Sequence, residues 1–439
     1  MKKFQFQKVF TMLLVGSMGI GTFTGCTISN NNEESSVQSD KSVQESIKLN
    51  FWRAGTDVET EQYWKEFIGR FQEKYPHITV ELSNIPWGDE IETKLNAAYA
   101  SGTAPDILNY AIVSIPQRAS VGQYMPLDEF ISNWEGKDDI FPNILDLGSF
   151  EDKIYGLGMR PDARMFVWRK DMFEAAGLDP NTPPSSWEEL KEYAERLTIK
   201  ENGITKQGGF AMSVANGFQD FQIFLTQNGG DFIDPKTLEV KYDSPEAVEA
   251  LTFLTDLVQN EIVIPTDQFQ ASTDAFNNGL SAMAYKNPAD IRNILKENPD
   301  LEGKIGMSVP LSKVQSATFG GLGLQFISAD TKHKEAAWQF VEMSMSPEEI
   351  KIRSEQLGIP VVRNSLKDEY IAKDPEMNEP ILGAIEVGKG AYPVTFSNRL
   401  NEEVSRAIEK AYLGKMSPEE ALKASAEAFR KEIPSLINK

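Results

Sequence analysis

Cysteine is all but missing from this sequence, with Cys26 the only one in 439 residues. That excludes a disulfide framework and leaves a lone thiol in need of some other use. Histidine is almost as scarce. His77 and His333 lie far apart in polar surroundings, with no His-Glu-x-x-His pattern and no cysteine to complete a ligand set. Zinc chemistry and histidine-based catalysis therefore lack their parts. No Gly-x-x-x-x-Gly-Lys turn and no Gly-x-Ser-x-Gly elbow occurs, so nucleotide hydrolysis and acyl transfer lose their usual supports, and no metal or other cofactor is implied. Positive charge is in deficit: 44 Lys and Arg stand against 65 Asp and Glu, for a formal charge of −21. No basic stripe is available to displace counterions from a phosphate backbone, so no nucleic-acid partner is expected. An uninterrupted apolar run of the roughly 20 residues that a membrane span requires is also missing.

What the first residues do contain is a short export pattern. Lys2, Lys3 and Lys8 precede an apolar stretch from Val9 to Ile20 that ends in small residues and Cys26. A basic start, a short apolar run and small residues before a cut are the marks of a signal peptide, here 1–25. Phe23-Thr24-Gly25-Cys26 resembles a lipobox, with Phe23 where an aliphatic residue is usual. In that pattern the cysteine becomes the first mature residue and carries a diacylglyceryl anchor with fatty acyl chains such as palmitate. An incidental Cys26 in an ordinary signal peptide is the competing reading. Removal of three lysines with the signal would leave a charge of about −24. Residues 26–45 hold few apolar side chains and cannot bury enough surface to offset chain entropy, so they are expected to act as a flexible tether. The expected location is the outer face of the bacterial cell membrane, reached by export and held by the lipid.

The remaining length exceeds what one core usually organises, so two lobes are expected. Short apolar runs alternate with amphipathic stretches from Ile47 onward, which points to an α/β fold. Ile47 to Trp52 alternates as a strand; Tyr63, Trp64, Phe67, Ile68 and Phe71 recur at helical spacing; Ile78, Val80 and Leu82 alternate again after Pro76. A helix over 89–100 then leads through a Gly102 to Asp106 turn into a strand at Ile107–Tyr110. Ser186 with Glu189, Ser346 with Glu349 and Ser417 with Glu420 have capping-box spacing and mark three helix starts.

These segments, with Phe71-Gln-Glu-Lys-Tyr-Pro76, Ser101-Gly-Thr-Ala-Pro105-Asp106, Trp168-Arg-Lys170-Asp171, Gln227-Asn-Gly229-Gly230-Asp231, Gly320-Gly321-Leu-Gly323 and Lys334-Glu-Ala-Ala-Trp338, resemble in order and spacing the extracellular solute-binding proteins of carbohydrate importers. The resemblance implies a two-lobe, periplasmic-binding-protein-like (type II) α/β fold with a hinge and an interlobe ligand cleft. It implies chain crossings near Met159, Ser308 and Ile359, giving an N-lobe of 46–159 plus 309–359 and a C-lobe of 160–308 plus 360–439. It further implies a monomer that captures a sugar or oligosaccharide by hinge closure and delivers it to the permease subunits of an ATP-binding cassette (ABC) importer, without catalysis.

A sugar offers apolar ring faces and hydroxyls, so its site needs aromatic platforms beside planar polar groups. Tyr110, where maltose-binding relatives carry a stacking aromatic, is one candidate platform, with core packing as its alternative. Trp52 with Arg53 at the end of the first strand, and Trp87 at a helix entry, are others. Asp162 matches a ligand-binding carboxylate of those relatives, although Asp162 and Arg164 could equally form a silent surface ion pair. Asn216, Phe218, Gln219 and Asp220 precede a helix that brings polar groups to the cleft in the family. After the strand ending at Tyr285, Asn287-Pro288-Ala289 stands where many relatives have Gly-Pro-Trp, so one platform is lost and Tyr285 or Asn287 is left to contact ligand. Gly320 and Gly321 would admit a ligand close to the backbone or serve a tight turn. Tyr392, Phe396, Asn398 and Arg399 occupy a late loop. Two other classes stay open: a secreted glycosidase, which needs only two well-spaced carboxylates, and a peptide or polyamine binder of the same architecture.

Overall fold

The computed structural model describes residues 45–212, 217–264 and 275–437. Its strands form two main sheets, numbered here in chain order. The first contains β1 (Ile47–Ala54), β2 (Ile78–Ile85), β3 (Ile107–Ala111), β6 (Gly156–Ala163), β12 (Thr318–Ile327) and β13 (Gly388–Lys389), ordered β13-β12-β3-β1-β2 with β6 also paired to β12. The second is β11-β7-β10-β9-β8, made of β7 (Met165–Arg169), β8 (Ile199–Glu201), β9 (Ile204–Ala211), β10 (Ser281–Lys286) and β11 (Ile305–Ser308). A two-residue hairpin, β4 (Ser149–Phe150) with β5 (Lys153–Ile154), stands apart.

Local chemistry accounts for the elements. The helix Val58–Lys74 starts where Asp57 accepts a hydrogen bond from the Thr60 amide at 2.9 Å, and its buried stripe is Tyr63, Trp64, Phe67, Ile68 and Phe71. That stripe packs on β1 and on the helix Lys334–Ser344: Phe340 lies within 6.0 Å of the rings of Phe51, Trp64, Phe67 and Phe71. Among the three capping boxes, Ser417 and Glu420 bond reciprocally, at 3.3 and 3.1 Å. Ser186 and Ser346 cap their helices too, but Glu189 turns to the Ser185 amide and Glu349 to the Arg70 guanidinium.

The core has two clusters. One fills the first sheet and its helices and continues onto one face of the second sheet through Met165, Val167, Ala211 and Ala284. The other covers the opposite face of the second sheet with Phe166, Trp168, Phe210, Met283 and the helices Phe218–Gln227, Pro245–Gln259, Ser397–Tyr412 and Pro418–Ile437. Alternation along each strand produces this division, because successive side chains of a strand point to opposite faces.

The chain changes sheet at Arg164, which lies between β6 and β7, and returns between β11 and β12. β6 therefore runs through Met159, the position expected for the first crossing. Beyond Ile359, Val361, Val362, Tyr370 and Ile381 through Ile385 still pack in the first core, and β13 pairs with β12. The segment 360–389 thus belongs with the first sheet rather than the second, because its apolar side chains complete the core beneath β12 and β6. Among the described residues, no helix is long and apolar enough to cross a membrane, and no group of three or more His, Cys, Asp and Glu could hold a metal ion.

Candidate functional site

A cavity of about 420 Å³ is lined by the first sheet with its helices and by the starts of the helices Phe218–Gln227 and Pro288–Glu297. β1 contributes Arg53, which is buried and fixed: its Nε donates to Asn84 at 2.7 Å and its Nη1 to Asp57 at 2.8 Å. Burial, the largest single influence, pushes the Asp57 carboxyl up, but hydrogen bonds from Thr60 and Arg53 outweigh it and bring its pKa down to about 2. Trp87 precedes the helix Asp89–Ser101 and is 52% exposed. Its ring stacks on that of Tyr110, with centroids 5.4 Å apart and planes inclined by 28°. Gly55, at φ 109°, permits this placement, since a Cβ there would come within 3.0 Å of the Trp87 indole nitrogen.

Trp87 therefore presents the exposed ring and Tyr110, 5% exposed, lies beneath it. Burial, reinforced by the Glu92 carboxylate, keeps the Tyr110 hydroxyl protonated far above its ordinary range. The strand period explains why Tyr110 is not at the surface of the site. Its neighbours Asn109 and Ala111 share the opposite face of β3 and line the cavity.

On β6, Asp162 faces β12 at Gly321, where a Cβ would approach the carboxylate to 3.2 Å. Burial pushes the Asp162 pKa up; Arg164 and Arg160 oppose that rise, and Asp290 adds to it. Among the described residues no ion pair joins Asp162 to Arg164. The Arg164 guanidinium instead lies over the Phe319 ring, 4.6 Å from its centroid, and its Nη1 is buried without a hydrogen-bond partner. From two helix starts beside the second sheet come Gln219, in the first turn of Phe218–Gln227, and Asn287, whose side chain caps Pro288–Glu297 by accepting from the Asp290 amide at 2.8 Å.

Arg53, Trp87, Asp162, Arg164, Gln219, Asn287 and Gly321 are thus brought together, and the other expected residues are not. Trp52 is half-buried against the first core. Phe218 is buried and stacks on Phe232 at 4.5 Å. Tyr285 is buried, its hydroxyl accepting from Gln227 at 2.9 Å and from the Leu311 amide at 3.3 Å. Gly320 abuts Gly388 of β13, so its missing side chain serves strand packing. Asp220 is a neighbour of Lys286 outside the cavity lining. Asn398 is exposed at the start of the helix Ser397–Tyr412, and Arg399 pairs with Glu403 and Glu432 between the last two helices. Phe396 is buried in the second core, and Tyr392 packs on Phe232. Asn216 and Cys26 lie outside the described residues.

Sequence reasoning missed Asn109, Arg160, Phe319, Arg292 and Arg353, all of which line the cavity. For Arg160 the signal existed, because it is two residues before Asp162 on one strand and shares its face. The helical arginines carry no such mark. A second cavity, of about 460 Å³, shares Ile112 with the first and is bounded by Ile115, Asp231, Gly390 and Tyr392.

This arrangement has relatives. The description "bacterial extracellular solute-binding protein" fits residues 55–351. A binding protein of Brucella abortus is 24% identical over 374 residues, which is 84% of this chain and 89% of the relative. An ABC transporter solute-binding protein from Thermotoga lettingae, solved bound with α-D-tagatose, is 28% identical with a TM-score of 0.74, covering 88% of this chain and 99% of that one. The sugar-binding protein MalE from Xanthomonas citri shares the fold at 22% identity and a TM-score of 0.77, with 88% and 99% covered. With two sheets around a cavity and a family match over more than half its length, the chain belongs to the bacterial extracellular solute-binding proteins and has their two-lobe fold.

Proposed function

We propose that this protein captures a saccharide in the cavity between the two sheets and delivers it to the permease of an ABC importer, while anchored to the cell membrane through a lipid on Cys26. The observation that carries this reading is the exposed Trp87 ring, fixed on Tyr110, beside the half-buried Asp162 carboxylate and the amides of Asn109, Gln219 and Asn287. An aromatic plane receives the CH face of a pyranose or furanose, and carboxylate and amide groups receive its hydroxyls. A volume of about 420 Å³ lies in the range of small-molecule pockets. The tagatose-bound relative supports the ligand class. Asp162 and Trp87 are the residues proposed to touch the sugar first. Closure of the lobes would draw Gln219 and Asn287 onto its other side.

Thermal unfolding of the purified protein against mono- and oligosaccharides, peptides and polyamines tests this reading. A saccharide that binds the native state raises Tm by mass action and is recovered intact. A rise with peptides or polyamines alone would move the ligand class, and cleavage of the saccharide would establish a glycosidase. For the anchor, radiolabelled palmitate should enter the wild-type chain in cells and be absent from Cys26→Ala.

A further inference from the structure

Charge along the cavity wall runs against the charge of the chain. Acidic residues outnumber basic ones by 65 to 44 in the whole sequence. Among the described residues, the cavity is lined by five arginines, Arg53, Arg160, Arg164, Arg292 and Arg353, and by one carboxylate, Asp162. Arg53 is neutralised by Asp57 at 2.8 Å. Among the described residues, none of the other four forms an ion pair with a carboxylate. Arg292 donates to the Gly358 carbonyl, and Arg353 to the Ser344 carbonyl and the Tyr63 hydroxyl, all of them uncharged acceptors. Asp220 and Asp290 are neighbours of Lys286, and neither lines the cavity.

Three further observations point the same way. Arg353 is 1% exposed, yet its Nε has no hydrogen-bond partner, and the buried Nη1 of Arg164 has none. Buried donors are almost always paired, and an unpaired one is costly. Arg160 is also close enough to Arg292 that, after burial, its charge helps to lower the Arg292 pKa. A guanidinium cannot relieve such repulsion by losing its proton. What relieves it is an anion, and the planar fork of donors matches carboxylate and phosphate oxygens. The positive end of the helix Pro288–Glu297 opens onto the same space through Pro288 and Ala289.

We infer that the saccharide taken by this site is acidic, carrying a carboxylate or a phosphate ester that Arg160, Arg292, Arg353 and Arg164 receive while Trp87 holds a sugar face. This rests on the proposed saccharide-binding function and narrows it. Uronic acids and sugar phosphates share the required oxyanion, and the experiment separates them.

Isothermal titration calorimetry on the whole protein would compare digalacturonate, glucose 6-phosphate, their neutral counterparts galactobiose and glucose, and inorganic phosphate. One acidic sugar is expected to bind at least about tenfold more tightly than its neutral counterpart. The preference should shrink as NaCl rises from about 50 mM to about 500 mM. Arg160→Gln and Arg292→Gln should each weaken the acidic sugar by about fivefold or more and the neutral one by less than about twofold. A preference for digalacturonate identifies the carboxylate as the source, and one for glucose 6-phosphate the phosphate ester; either supports the inference. Equal or tighter binding of the neutral counterpart would overturn it while leaving the saccharide reading intact. Inorganic phosphate binding as tightly as the acidic sugars would overturn it as well, since the sugar would then contribute nothing. Failure of every saccharide, neutral and acidic, would remove the proposed function itself and the inference with it.

Discussion

The wall of the cavity carried by the first sheet meets the open space with side chains, Trp87, Arg160, Asp162 and Arg353, whereas the wall carried by the second sheet meets it largely with helix starts. Gln219 sits in the first turn of Phe218–Gln227, and Asn287 caps Pro288–Glu297. On the first wall a contacting group and the layer that supports it are different residues, as with Trp87 above Tyr110. On the second wall one residue does both, because the Asn287 side chain that lines the cavity also satisfies an orphan amide of its helix. Binding and stability should therefore separate on the first wall and move together on the second.

Substitutions at four positions sharpen or break that contrast. The largest effect is expected at Tyr110→Ala, which removes a buried aromatic and should cost about 3–5 kcal/mol in denaturant unfolding. Tyr110→Phe should retain most of the stability and the support under Trp87. Trp87→Ala should weaken saccharide binding about tenfold with a stability change within about 0.5 kcal/mol. If Trp87→Ala instead unfolded the protein as Tyr110→Ala does, the separation of platform from support would be wrong. Asn287→Ala should cost about 1 kcal/mol through the lost helix cap and lower saccharide affinity with it, and Asn287→Ser should restore most of the stability.

The smallest effect concerns Asp57, which caps the helix Val58–Lys74 and fixes Arg53. Its folded pKa falls from 3.8 to about 2, so its contribution is complete above 3.8 and disappears as the pH drops through about 2. Asp57→Asn should therefore lower Tm at neutral pH, and the gap to the wild type should close across that acidic window. A gap that persisted at pH 2 would assign the difference to the cap geometry rather than to the charge.

Much of the fold was legible because local rules agree with the tertiary result in the first lobe. The strand at Ile47, the Tyr63-to-Phe71 stripe and the strand after Pro76 occur as β1, Val58–Lys74 and β2. The site was legible only in part, and β3 and β6 show why. Alternation says that Tyr110 and Asn109 face opposite ways, but which face meets the cavity depends on the neighbour across the sheet. The first crossing was expected at Met159 and the chain changes sheet at Arg164, because β6 stays paired with β12 as far as Ala163 opposite Gly320. Nothing local to Arg292 or Arg353 distinguishes them from surface arginines, since each reaches the cavity only through the packing of its helix.

The sequence by itself determined the export pattern, the α/β alternation, the helix starts and the family, because these depend on residue type and on spacing of a few positions. The tertiary structure decided which aromatic is exposed at the cavity, which glycine makes room for a carboxylate, and that arginines separated by almost two hundred positions share one wall. Those outcomes depend on which faces of separate strands and helices are turned toward one another, and chain-distant packing fixes that rather than any local pattern.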